Sequence, residues 1–118
     1  MFKGLIIKES LRDDRVLDLV NIDGVELWKS GGMPAYWTAI DFTSDCSDLP
    51  QRLAQAIDAN PSQQGVTWYV DFQNKTHKYI VLADHVLRYR IGDAQERAQV
   101  NQRCLELGVR EDQLDWSE

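Results

Sequence analysis

An α+β domain is what this sequence predicts: a mainly antiparallel sheet of about five or six strands with two principal helices packed on it. Three observations carry that expectation. Apolar residues alternate through three successive runs between residues 65 and 92, two segments at about 48–59 and 94–107 carry helix start and stop signals, and the composition is that of an ordinary globule. The chain has 118 residues, 43% hydrophobic and 27% charged. That length suits a single domain over 1–118, able to bury about two-thirds of its unfolded surface without metal or disulfide support.

From the N-terminus, Lys3-Gly-Leu-Ile-Ile-Lys8 reads as a short buried strand flanked by lysines. Arg12 to Val20 is ambiguous between helix and strand. Asp23-Gly24 between apolar runs signals a tight turn, followed by a strand from Val25 to Trp28. The glycine pair and Pro34 make Lys29–Pro34 a surface loop. Tyr36–Thr43 is then a strand with Tyr36, Thr38, Ile40 and Phe42 on one side and Trp37, Ala39 and Asp41 on the other. Aromatics on both sides suit a central strand.

The first helix is expected to begin near Asp48, capped by Ser47, with Pro50 in its first turn and a stripe of Leu49, Leu53, Ala56 and Ile57. Asn60-Pro61 ends it. The three-strand meander over 65–92 follows. A two-residue loop at Asn74-Lys75 sets Phe72 opposite His77, Val70 opposite Tyr79 and Asp71 opposite Lys78, the last a cross-strand ion pair worth about 0.2–1 kcal/mol. A three-residue loop, Ala83-Asp84-His85, then places Leu87, Tyr89 and Ile91 on the aromatic face with Trp68, Val70, Phe72, Tyr79 and Val81. On that register Tyr69, Asp71, Lys78, Ile80, Arg88 and Arg90 share the opposite face.

Asp93 and Glu96 form a capping box for the second helix, whose apolar side holds Ala94, Ala98, Cys104 and Leu105 and whose end is marked by Gly108. Both helices are expected to cover one face of the sheet. Residues 109–118 form an acidic tail in which Leu114 and Trp116 suit either docking onto the domain or an interface anchor.

Thirteen basic against nineteen acidic residues give a net charge of −6. That charge repels a phosphate backbone, so nucleic acid is excluded as a partner and a basic protein is favoured. No run is apolar enough for a membrane span, and the N-terminal stretch lacks the features of a signal peptide. Two cysteines, Cys46 and Cys104, outside any Cys-x-x-Cys pair, fit a reducing cytoplasm. The spacing of His77, His85 and the cysteines supports no metal site, and no cofactor fingerprint, nucleophile elbow or phosphate loop is present. Cys46 precedes a helix, but Asp45 and Asp48 oppose its thiolate. Asp41 and Asp71 are candidate paired carboxylates, but they do not amount to a catalytic signature.

The expectation is therefore a small acidic cytoplasmic protein-binding module, accessory or immunity-like and without catalytic activity. Trp28, Trp37, Asp112, Asp115 and Trp116 are the candidate contacts to a basic partner. The alternative is an anionic-ligand domain or minor enzyme using Tyr69, Asp71, Lys78, Arg88 and Arg90. A homodimer joined through an edge strand is a further possibility.

Overall fold

The computed structural model describes residues 1–62 and 65–118. Its framework is a six-stranded antiparallel sheet made of β1 (Phe2–Ile7), β2 (Asn21–Lys29), β3 (Tyr36–Ser44), β4 (Val70–Gln73), β5 (His77–Leu82) and β6 (His85–Arg90). The spatial order is β2-β3-β1-β4-β5-β6. The short N-terminal strand therefore lies at the centre, and β3 is an interior strand as its two aromatic sides suggest. Helix α1 (Leu49–Ala56) follows β3, and α2 (Ala94–Glu106) follows β6.

The helices lie on opposite faces of the sheet, not on one. Alternation along β5 separates two cores: Tyr79 and Val81 join Phe2, Ile6, Phe42, Val70, Phe72 and the α1 residues Leu49 and Leu53, whereas Ile80 and Leu82 join Tyr89, Val100, Cys104, Val109 and Trp116 beside α2. Each helix covers only part of its face. The expected apolar side of α2 also shifts: Val100 and Cys104 are its buried residues, while Ala98 is exposed and Leu105 remains 40% exposed. Asp93 caps α2 by accepting from Glu96 N–H, but Glu96 Oε1 accepts from Arg90 N–H, so the box is not reciprocal.

Several local expectations give way to tertiary pairing. The stretch 12–20 is neither α-helix nor strand but holds a 3-10 segment, Asp14–Leu19, capped by Asp13. Asp23-Gly24 is not a turn. It is a bulge inside β2, where Ile22 pairs with Phe42 and Gly24 with Asp41, leaving Asp23 unpaired. Helix α1 starts at Leu49 without a side-chain cap and stops at Ala56, because Ile57 turns extended to bridge Leu11 and the freed Ala56 carbonyl accepts from Arg12 N–H. Of the first meander run, only Val70–Gln73 is ladder-paired.

Both meander loops also differ from expectation. Asn74 Oδ1 accepts from the N–H groups of Thr76 and His77, and Asn74 N–H donates to His77 O, so the loop is Lys75-Thr76. Phe72 consequently faces Tyr79, and Val70 faces Val81. This two-residue slip keeps every side chain on its face. The second loop is Ala83-Asp84, with Asp84 at φ 62°, a left-handed conformation that an aspartate tolerates. One residue fewer turns β6 over. Tyr89 moves beneath α2, and Arg88 and Arg90 pass to the α1 face, where the edge position leaves both exposed.

Gly4 fixes the centre of the sheet. In register it lies between Phe42 of β3 and Phe72 of β4, whose rings meet edge-on at 6.0 Å. A Cβ at position 4 would fall 2.4 Å from Phe72 Cβ and 2.6 Å from the Asp71 carbonyl oxygen. Gly4→Ala is therefore expected to lower unfolding stability by about 1–3 kcal/mol, the cost of overpacking a rigid interior. Urea denaturation checks this, and an unchanged midpoint contradicts it.

Candidate functional site

The α2 face has a covered half and an open half. Helix α2 packs over β5 and β6, while the C-terminal segment 113–118 lies along its border as a wall. Trp116 anchors that wall: it is 6% exposed, and its ring meets Tyr69 at 5.9 Å. Arg97 of α2 donates to the Trp116 carbonyl at 2.8 Å and to Glu118 Oε1 at 2.8 Å, while Glu118 Oε2 accepts from Gly92 N–H. The tail is thus docked, as the apolar size of Leu114 and Trp116 suggests.

Between this wall and the β2–β3 hairpin lies a cleft of about 340 Å³. Its aromatic lining comes from Trp28, Trp37, Trp68, Tyr69 and Trp116, and its charge from Asp71 and Asp115. Among the described residues, no lysine, arginine or histidine lines it. Trp37 and Trp68 meet edge-on at 5.2 Å. Gln113, a lining residue, holds a buried side-chain oxygen, Oε1, without a hydrogen-bond partner.

Four of the five candidate partner contacts therefore converge. Trp28, Trp37, Asp115 and Trp116 line one cleft, whereas Asp112 lies outside it and pairs with Arg110 at 2.7 Å. Trp68, Tyr69 and Gln113 were not expected there as a group. Trp68 packs against the α1-side core as alternation assigns it, and, because the chain is not ladder-paired before Val70, it also reaches Trp37 and the cleft. Thr67 Oγ1 donates instead to the Gly108 carbonyl, and Tyr69 OH to the Gln113 carbonyl, tying this stretch to the tail.

The proposed anion-binding group is not assembled. Tyr69, Asp71 and Lys78 remain on the α2 face, but Arg88 and Arg90 project from the other. Lys78, 4% exposed, is held by Asp71 at 2.9 Å, diagonally across the ladder instead of directly opposite. Its ammonium is thereby committed to an internal ion pair. Asp41 and Asp71 occupy one row on either side of Leu5, two strands apart, so their Cα atoms are about 9.5 Å from each other. A wide shallow depression on the same open half includes both, together with Asp23, Lys3 and Lys75.

Cys46 Sγ donates to Asp48 Oδ1 at 2.8 Å, and this bond holds the thiol above its ordinary pKa. Burial pushes Cys104 up to about 11. Both cysteines are free. His77 and His85 stand at opposite ends of the β5–β6 ladder, and no group of three or more metal-type ligands occurs among the described residues. No helix of the described residues is long and apolar enough to cross a membrane.

No protein-family model, curated protein or solved structure matches the chain.

Tyr69 reports the state of the cleft. Burial, reinforced by Asp71 and Asp115, pushes its phenol up to about 12 from 10.0. The folded state keeps the proton that the unfolded chain loses, so this contribution is full below pH 10 and disappears as pH rises toward 12. Urea midpoints should fall over that window, and the fall should be shallower in Tyr69→Phe. Parallel curves for the two proteins would contradict a buried phenol.

Proposed function

We propose that the chain is a non-catalytic recognition module whose aromatic cleft receives a lysine or arginine side chain of a basic protein partner. The supporting observation is the lining itself: five aromatic rings and two carboxylates with no basic side chain. A cation entering such a site gains attraction to ring faces, about 0.5–1 kcal/mol where exposed and about 2 where desolvated. It also meets Asp115, an exposed carboxylate, whereas Asp71 is already partly neutralised by Lys78. The net charge of −6 favours approach of a basic partner at long range.

Trp28, 41% exposed at the outer rim, offers a large amphipathic contact of the kind enriched at interfaces. The reading places the module in the cytoplasm, in an accessory or immunity-like role. Support for that setting comes from two free cysteines and from thiols held in their protonated form.

A short peptide with one arginine, compared with its citrulline counterpart, tests the cleft directly through tryptophan fluorescence. The arginine peptide should bind about tenfold more tightly, and raising salt from about 50 to 300 mM should weaken it. Asp115→Asn should weaken it severalfold. Equal binding of the citrulline peptide, or indifference to salt, overturns the reading.

A further inference from the structure

The two edges of the sheet are unlike. Strand β6 has six residues and carries Arg88 and Arg90, charges that discourage another strand from pairing there. Strand β2 has nine, and Val25 and Leu27 remain 57% and 67% exposed on it. Ile22, at 53%, and Tyr36 of the neighbouring strand, at 50%, extend the same apolar stripe on the α1 face beyond the reach of the helix. Glu26 and Trp28 point to the other face, where Trp28 is the outer rim of the aromatic cleft.

The hydrogen-bond phase of this edge follows from one contact. Thr38 N–H donates to Glu9 Oε1 at 2.6 Å, so it points away from β2. In an antiparallel ladder, a residue turned away leaves the residue opposite it turned away too. Leu27 is opposite Thr38, and its N–H and C=O therefore face outward, as do those of Val25 and Lys29 at the period of two. Three successive outward residues form a template for one more strand.

We propose that β2 takes an extended segment of the partner as a seventh strand, one in which apolar and basic residues alternate. This rests on the preceding reading of the cleft and specifies the partner's backbone form. Apolar side chains of the added strand cover Val25 and Leu27 and lie along the aliphatic stem of Lys29. Its basic side chains emerge on the other face beside Glu26 and Trp28, and lead toward Asp115 in the cleft. Glu26 Oε2 already accepts from Trp28 Nε1 at 3.2 Å, which orients the carboxylate and leaves Oε1 for an incoming cation. A second copy fits less well, because self-pairing centred on Glu26 opposes two carboxylates, pairing centred on Leu27 sets Val25 against Lys29, and each chain brings a charge of −6.

The probe is a seven-residue peptide alternating lysine and valine, with a glutamate–valine peptide as control. Amide hydrogen exchange of the protein is followed residue by residue. With the lysine–valine peptide, the N–H groups of Val25, Leu27 and Lys29 should slow at least tenfold, and the glutamate–valine peptide should leave them unchanged. Leu27→Pro removes an outward N–H while sparing the β2–β3 bonds, and should abolish the protection. Leu27→Lys, which sets a charge against the peptide's valines without altering the backbone, should do the same if the proline variant fails to fold.

Protection that persists in the Leu27 variants overturns strand addition. So does binding that perturbs the cleft tryptophans but not the β2 amides, although the cleft reading then stands. No binding of the lysine–valine peptide alongside normal binding of the single-arginine peptide likewise removes only the added strand, while failure of both peptides removes both. Sedimentation showing that the free protein dimerises through β2 would assign the edge to a second copy instead.

Discussion

The fold depends on the closure of Phe42 and Phe72 over Gly4. A central strand buried on this face would ordinarily contribute a side chain at that position, and its volume would force the neighbouring strands' rings apart. The missing Cβ lets the two rings meet at 6.0 Å, and Phe72 then stacks on Tyr79 at 5.3 Å while Phe2 contacts both edge-on. This run of aromatic contacts crosses β3, β1, β4 and β5, joining the N-terminal hairpin to the meander on the face that α1 covers. Burial of such rings is among the larger favourable terms in a domain of this size. The opposite face has no comparable packing over β1 and β3, and it is there that the surface stays open.

Coverage explains where the cleft sits. Helix α2 is held over β5 and β6 because Val100 and Cys104 pack with Ile80, Leu82 and Tyr89. Strands β1, β2 and β3 on that face receive no helix, only the edge of the tail. The hairpin also outruns its neighbour: β1 pairs with β3 only as far as Ile7 opposite Ala39, so Trp37, Tyr36 and their β2 partners project past the central strand. Glu9 steadies this extension by accepting from both the N–H and the hydroxyl of Thr38. At its base Trp37 rests on Trp68, which packs in turn against the α1-side core.

The sheet, the two helices and the alternation of β3 were legible because each rests on periodicity, which is a local property. Register was less so. Choosing a three-residue second loop rested on keeping Arg88 and Arg90 out of an aromatic face, a sound argument for a central strand but not for an edge strand, whose side chains reach water on either face. Asp23-Gly24 has turn chemistry, yet the same glycine serves a bulge, and only pairing with β3 decides between them. Among site residues, the tryptophans of the hairpin and tail were legible as large apolar groups near glycine, proline and acidic residues. The addition of Trp68 and Tyr69 depended on Thr67 and Tyr69 bonding to the tail, contacts 41 and 44 residues apart in sequence.

The tail turns a core anchor into a source of surface charge. Trp116 is buried while its neighbours Asp115 and Ser117 are exposed, so the alternation that drives the indole inward directs Asp115 outward toward the cleft. The anchorage has opposing terms. Burial of Trp116 and the partly buried Arg97–Glu118 pair favour docking, while the unpaired Gln113 Oε1 opposes it at about 1–3 kcal/mol.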